Sequence, residues 1–376
     1  MSLTSPLSIV ISAVSIRKGG TLTVLRDCLS YLSGRPDLQV NALVHKRSLC
    51  EYPGIKYIEI PDCAGNWWKR WQCEYHGMRK LSEKLQPVDL WLSLHDTTPD
   101  VLARRQAVYC QTSFPFLKVR ARDLRMDPKI PAFAWLTKYV YRKNAERNRY
   151  LIVQQEWFRD SLSCLLRMRR SRFIVAPPTF RTPVIPCAKT PGSVPTFIYP
   201  ATPDCHKNVE LLCETAFQLE QRWGTDAFKV ILTIRGNENR YAAWLHRTWG
   251  HVSSIHFRGY LPKEELYKLY GEADCLVFPS RIETWGLPIS EFKSTGRPML
   301  LANLPYARES AAGASQVAFF NPEASDRLAF LMEEVMLGKD SEFTAIPPSV
   351  PSKPYAPDWE SLFNLLLEPD ESIAAW

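Results

Sequence analysis

Glu283 and Glu291 stand on either side of Gly286-Leu287-Pro288, within Phe278-Pro-Ser-Arg-Ile-Glu-Thr-Trp-Gly-Leu-Pro-Ile-Ser-Glu-Phe-Lys-Ser-Thr-Gly-Arg-Pro298. The stretch starts where an apolar run ends, so it reads as a turn from a strand into a helix. Pro288 suits a first helical turn, where its missing amide hydrogen costs least. Gly286 lets the backbone come close to a ligand, and exposed amides at a helix start favour phosphate. Glu283 precedes the turn and Glu291 lies about two turns inside the helix. One carboxylate can thus reach a ligand at the helix tip while the other accepts bonds from hydroxyls beside it. The bland alternative is a capped helix with two surface acids.

A cation stands in a comparable place. Phe197-Ile-Tyr-Pro-Ala-Thr-Pro-Asp-Cys-His-Lys-Asn208 runs from a strand into a helix opening at Lys207. A cation at a helix start opposes the dipole, so an anionic ligand explains Lys207 better than solvation alone. Arg235, after the strand Lys229–Ile234 and before Gly236, is a candidate second cation.

The elements that must position these groups repeat in two series. Short apolar runs alternate with helical patterns, as in a βαβ chain with a parallel sheet. The first series takes strands at Leu7–Ala13, Val40–His45, Lys56–Ile60, Val88–Leu94, Ala107–Cys110, Tyr150–Val153 and Phe173–Val175. Helices are expected at about Thr21–Ser33, Lys69–Leu85 and Glu156–Leu166. Six prolines between Ala176 and Pro195 then make a helix or central strand improbable. Strands resume at Thr196–Pro200, Lys229–Ile234, Ser254–Phe257, Cys275–Phe278, Met299–Ala302 and Gln316–Phe319, with helices near Lys207–Gln221, Lys263–Gly271, Leu287–Thr295 and Ser325–Met336. The expected plan is an N-terminal domain over 1–176, a linker over 177–195 and a second domain over 196–357. A last helix, within 358–376, returns to the first domain. At 376 residues the chain exceeds what one core usually supports. Two doubly wound α/β domains facing a central cleft are the natural assembly.

The Glu283 to Glu291 segment resembles the Glu-x7-Glu signature of retaining glycosyltransferases of family four, which have the GT-B fold of two Rossmann-like domains. The resemblance implies that Glu283 contacts a donor sugar, that Glu291 holds ribose hydroxyls, and that amides at Gly286 and Leu287 meet sugar or phosphate oxygens. It assigns Lys207 to the donor diphosphate. Many relatives carry an Arg about five residues earlier, where this chain has Thr202, which leaves Arg235 as the candidate for the second charge. In the N-terminal half Lys18-Gly19-Gly20 matches the family's glycine loop, although tight turns use such pairs freely. Gln111 stands where many relatives have a histidine. His95-Asp96 ends another strand, as a sugar-contacting pair or as a loop cap.

The activity implied by the resemblance is that of a retaining hexosyltransferase, moving a mannose- or rhamnose-type sugar from a GDP-, dTDP- or UDP-linked donor. Tyr199-Pro-Ala-Thr-Pro and Tyr109-Cys-Gln are similar to members that transfer those sugars. The implied acceptor is a polyprenyl-diphosphate-linked glycan of a bacterial surface polysaccharide such as O antigen. No cofactor is expected and no metal, since no Asp-x-Asp motif presents itself. Catalysis would then be positioning and stabilisation of the departing diphosphate. The rivals are a non-transferring, epimerase-like enzyme on the same fold and a basic nucleic-acid-binding protein, which lacks a recognisable module.

Composition narrows the setting. The net charge is +8, concentrated in Lys118–Arg149 and in Arg167-Met-Arg-Arg-Ser-Arg172. Such charge suits a phosphorylated substrate, nucleic acid or an anionic membrane face. Asn66-Trp-Trp-Lys-Arg-Trp71 sets tryptophans beside cations, and Trp67 and Trp71 share a helical face. That mixture favours a bilayer interface, with core packing or an acceptor groove as alternatives. The basic stretch with Phe116, Phe133, Trp135 and Tyr139 is a second candidate for lining a membrane or a lipid pyrophosphate. The ten cysteines have no Cys-x-x-Cys spacing, so reduced, buried thiols are expected rather than zinc or disulfides. No apolar run reaches the roughly 18 residues of a membrane span, and no signal peptide is recognised. The expected location is cytoplasmic, with peripheral contact on the inner membrane and no nucleic acid bound.

Overall fold

A computed structural model describes residues 6–64, 67–178, 185, 186, 188, 189 and 192–368. Asn66, the side chain of Trp67 and positions 179–184, 187, 190 and 191 of the expected linker lie outside the described residues. The chain divides into two compact units, one of Met1–Pro115, Trp135–Phe180 and Pro351–Trp376, the other of Phe116–Ala134 and Arg181–Val350.

The first unit is built on a parallel sheet of seven strands: β1 (Leu7–Ala13), β2 (Leu38–Val44), β3 (Ile55–Glu59), β4 (Leu90–Ser93), β5 (Arg105–Tyr109), β6 (Tyr150–Val153) and β7 (Phe173–Val175). Their order is β3-β2-β1-β4-β5-β6-β7. Ser8 to Ala13 and all of β4 and β5 are buried, as strands covered on both faces must be. The helix Gly19–Ser33 lays Leu22, Leu25, Cys28, Leu29 and Leu32 against Ile9 and Ile11. The last helix, Trp359–Leu367, adds Leu362, Phe363 and Leu366 to the same core. Burial of such side chains contributes about 1.5–3 kcal/mol each, which ties the C-terminal segment to this unit. Asp358 starts that helix by accepting from the Ser361 amide at 2.7 Å.

The second unit holds β8 (Thr196–Tyr199), β9 (Lys229–Leu232), β10 (Ile255–Phe257), β11 (Cys275–Phe278), β12 (Met299–Ala302) and β13 (Val317–Phe320), in the order β10-β9-β8-β11-β12-β13. Both sheets are parallel throughout and share one winding pattern. Each reverses its strand order once, between β1 and β4 and between β8 and β11. In open α/β sheets ligands bind outside the carboxyl ends of the strands at such a reversal.

Several local expectations are revised. The helix expected at Lys69–Leu85 is interrupted: Trp67–Gln72 and Met78–Lys84 flank a wider turn at Cys73–Gly77. Cys63 and Cys73 are joined in a disulfide with Cα atoms 5.8 Å apart, which overturns the expectation of reduced thiols for that pair. The turn at Pro61–Ala64 and the helix after it bring two cysteines ten positions apart face to face. A further helix, Lys129–Arg142, occupies the basic stretch. Residues 116–134, inside the expected N-terminal domain, cluster with the second unit because their arginines and Asp123 pair there.

Candidate functional site

In the second unit, the loops leaving β8 and β11 bring Lys207 and Glu283 together. The Lys207 ammonium donates to Glu283 Oε1 at 2.6 Å, and both side chains are largely buried. Ser280 Oγ donates to the same carboxylate oxygen at 2.7 Å. The Tyr199 hydroxyl joins Ser280 Oγ at 2.9 Å and donates to the Lys207 carbonyl at 2.8 Å. Tyr306 donates to the Ser280 carbonyl at 2.6 Å. Burial, then the Glu283 charge, pushes both tyrosines well above their ordinary pKa, so they stay neutral donors. Lys207 is therefore a paired, positioned cation rather than a solvated one.

The helix after this lysine opens at Val209, two residues later than expected. Cys205–Lys207 form a single 3-10 turn, and Asn208 takes a left-handed conformation at φ 56°. Its side chain ties the turn down, donating to the carbonyls of Pro279 at 3.2 Å and Pro322 at 3.0 Å. Arg281 binds the two loops to each other. Its amide donates to the His206 carbonyl at 2.8 Å, and its guanidinium reaches the Cys205 carbonyl at 3.2 Å and Asp123 at 2.5 Å. Nothing in the local sequence marks Arg281 or Asp123, because their pairing spans 158 positions.

Glu291 is buried on the helix Leu287–Lys293. Tyr267 and Tyr270 donate to its two oxygens at 3.3 and 3.4 Å, and the Lys263 ammonium stands 4.0 Å away. Burial raises its carboxyl above the ordinary range, with Lys263 and the tyrosine hydroxyls opposing. Gly286 has φ 86°, and a Cβ there would come within 3.2 Å of Ile289. The left-handed conformation thus favours glycine at the turn. Leu287 is the first helical residue, with Pro288 inside the first turn. Arg235 is exposed on the loop after β9, whose amides at 235, 236 and 237 are gathered by the Glu238 carboxylate.

The first unit collects the other candidates at the carboxyl edge of β1, β4 and β5. Gly19 opens its helix at φ 73°, followed by Gly20. Asp96 accepts from the amides of Gln111 at 2.6 Å and Thr112 at 3.0 Å, and from the hydroxyls of Thr112 and Tyr141 at 2.7 Å. That geometry matches the capping alternative for Asp96. Gln111 also donates to the Leu94 carbonyl at 2.6 Å. His95 is buried, with Nε2 at 3.1 Å from Ser12 Oγ and Nδ1 at 3.1 Å from both Glu74 and Thr97. Burial, then Arg70, holds the imidazole well below its ordinary pKa, while burial pushes Glu74 up to about 7. Burial thus disfavours charge on both groups, which stand 3.1 Å apart. Glu74 was not legible as a partner, since it lies in the wider turn that interrupts the expected helix.

The aromatic cluster is exposed, which removes core packing for two of its rings. Trp68 is 64% and Trp71 39% accessible, and they stack at 5.4 Å. The Lys143 ammonium lies 4.9 Å from the Tyr75 ring and 5.9 Å from Trp71. Trp135 and Tyr139, on the helix containing the basic stretch, are also exposed. Among the described residues no helix is long and apolar enough to cross a membrane, and no three His, Cys, Asp or Glu side chains gather as a metal site would need.

Residues 195–336 match the family described as Glycosyl transferases group 1. A stretch of 122 residues is 33% identical to O-antigen chain mannosyltransferase B of Escherichia coli, covering 32% of this chain and 32% of that protein. The match thus spans about a third of the curated relative. Among solved structures, HepE of Anabaena in complex with UDP-glucose aligns over 96% of both chains at 13% identity, with a TM-score of 0.63. WaaG, a glycosyltransferase involved in lipopolysaccharide biosynthesis, aligns over 88% of this chain and 90% of its own at 14% identity, with a TM-score of 0.63. At such identities the structural likenesses establish the fold.

Proposed function

We propose, for a chain whose residues 195–336 are a Glycosyl transferases group 1 domain and whose fold is GT-B, that it is a retaining hexosyltransferase using a nucleotide-diphosphate sugar. One observation carries the reading: Lys207 and Glu283 meet 2.6 Å apart on the loops leaving β8 and β11, where the strand order reverses. The lysine neutralises the donor diphosphate and Glu283 faces the sugar. Glu291, flanked by two tyrosine hydroxyls, accepts the ribose hydroxyls. The amides of Gly286 and Leu287 meet phosphate or sugar oxygens, and Arg235 supplies a second positive charge. Stabilisation of the leaving diphosphate by fixed cations and amides lowers the barrier without a covalent intermediate. No cofactor enters, and cationic side chains serve where other transferases use a metal.

The transferred sugar is of mannose or rhamnose type, and the acceptor is a lipid-linked glycan of a bacterial surface polysaccharide. The curated relative is named for O-antigen mannosyl transfer and WaaG for lipopolysaccharide biosynthesis, which supports the setting. In the first unit Gln111 and His95 serve the acceptor side, His95 as a buried support. The chain works at the cytoplasmic face of the inner membrane, with Trp68, Trp71, Trp135 and Tyr139 as the interfacial surface.

The test is turnover with a panel of GDP-, dTDP- and UDP-sugars and a lipid-linked glycan, with the product anomer read by NMR. Retention of configuration, and activity that persists in excess EDTA, are the expected results. An inverted product would end the retaining assignment, and an absolute, reversible need for manganese or magnesium would end the metal-independent one.

A further inference from the structure

Two helices of the second unit, Ala121–Met126 and Arg240–Trp249, face each other over a cavity of about 460 Å³. Its lining is Ala121, Arg122, Arg125, Met126, Arg240, Trp244 and Arg247. Four arginines thus line one space, and among the described residues no Asp or Glu lines it. The helix Arg240–Trp249 contains no acidic residue, and the one acid of the shorter helix, Asp123, is turned to Arg281 and buried. Glu210 answers Arg122 alone among the four, at 2.8 Å. Arg122 also lies over the Trp244 ring at 5.2 Å, which fixes the direction of its fork.

Such a gathering of like charge opposes itself, and one member is placed against the helix dipole as well. Arg240 is the first residue of its helix, where the partial charge is positive and a carboxylate would be favoured. An anion in the cavity would reverse both penalties. Each guanidinium offers five N–H donors in a planar fork that suits phosphate better than a point charge does.

From this arrangement we infer a second anion site, for a phosphate group, that is separate from the Lys207 to Glu291 constellation. Glu210 joins the two places. It pairs with Arg122, accepts from the Tyr241 hydroxyl, and stands in the first turn of the helix that follows Lys207 and Asn208. Arg120, next to this helix, donates to Asn208 at 2.9 Å. Phosphate held by the four arginines would therefore stiffen the turn that carries Lys207. The phosphate can come from a lipid headgroup or from a free ion, and the chemistry of recognition is the same.

The experiment uses the full chain carrying Lys207→Ala, so that the donor site contributes least. Inorganic phosphate is titrated calorimetrically, and vesicles with and without phosphatidic acid are co-sedimented. The same measurements are repeated on a protein that adds Arg125→Ala and Arg247→Ala, two arginines that neither answer Glu210 nor lie over Trp244. Melting curves establish that this variant is folded. The expected result is phosphate affinity at least about tenfold lower in the added variant, the loss of one charge-assisted contact. A loss seen with phosphatidic acid vesicles alone identifies a headgroup, and a loss seen with phosphate alone identifies a free ion. Absence of phosphate binding in both assays, or equal binding in the folded variant, would overturn the site.

Discussion

Glu283 and Glu291 look alike in the sequence, but their surroundings differ. Glu283 is ion-paired and hydroxyl-bonded, while Glu291 is buried between tyrosines with its carboxyl raised. Glu291→Gln should weaken nucleotide diphosphate binding by about 1–3 kcal/mol, the range for hydrogen bonds to a charged acceptor. Glu283→Gln should lower kcat with little change in that affinity. Titration of nucleotide into each variant beside steady-state kinetics separates them, and unchanged affinity in Glu291→Gln removes the ribose assignment. Because burial raises Glu291, it loses its charge on acidification earlier than an ordinary glutamate. Wild-type affinity should therefore fall at a higher pH than usual for a carboxylate, and Glu291→Gln should lack that dependence. That the two glutamates, Lys207 and Gly286 lie on the loops leaving β8 and β11 and the helix that follows was legible, because each stands just after an apolar run. Ser280, Tyr199, Tyr306 and Arg281 were not, since they act by contacts that only the folded loops create.

At the scale of elements, the strands were readable because two-sided burial demands continuous apolar runs, as in Cys275–Phe278 and Met299–Ala302. The expected Lys69–Leu85 helix was readable only in outline. Its interruption at Cys73–Gly77 contains a weak helix former, Gly77, and coincides with the disulfide at Cys73 and the burial of Glu74. The effect of that burial is measurable. With its carboxyl at about 7 in the folded chain against an ordinary 4.5, the native state binds the extra proton between those values. Stability contributed by Glu74 is then present below about 4.5 and is lost as pH rises toward 7. His95 has the opposite sign, since its lowered pKa stabilises above 6.5 and is lost on acidification. Glu74→Gln should flatten the decline of Tm with rising pH between 4.5 and 7. An identical pH profile in wild type and variant would show that the carboxyl is charged in the native state.

At the scale of the whole molecule, two doubly wound parallel sheets were foreseeable from the double series of apolar runs. The transfer of residues 116–134 to the second unit was not, because it depends on Arg122 and Asp123 finding Glu210 and Arg281 far along the chain. Exposure of Trp68 and Trp71 beside Lys143 supports reversible binding to anionic vesicles. Salt should weaken it, since exposed charges are screened within about 8–10 Å at moderate ionic strength. Trp68→Ala with Trp71→Ala should reduce co-sedimentation without changing the melting curve, whereas unaltered binding per folded molecule would end the membrane reading of this surface.

The claim on which the rest depends is that Lys207 holds the donor diphosphate at the reversal point of the second sheet. Calorimetric titration of a nucleoside diphosphate and of its monophosphate, into wild type and Lys207→Ala, tests it most directly. On the proposed reading, the lysine held 2.6 Å from Glu283 meets the outer phosphate. Lys207→Ala should therefore lose at least about tenfold in diphosphate affinity, some 1.4 kcal/mol, and almost nothing for the monophosphate. Equal diphosphate affinity in the two proteins would contradict the assignment, and with it the site from which the transferase reading is built.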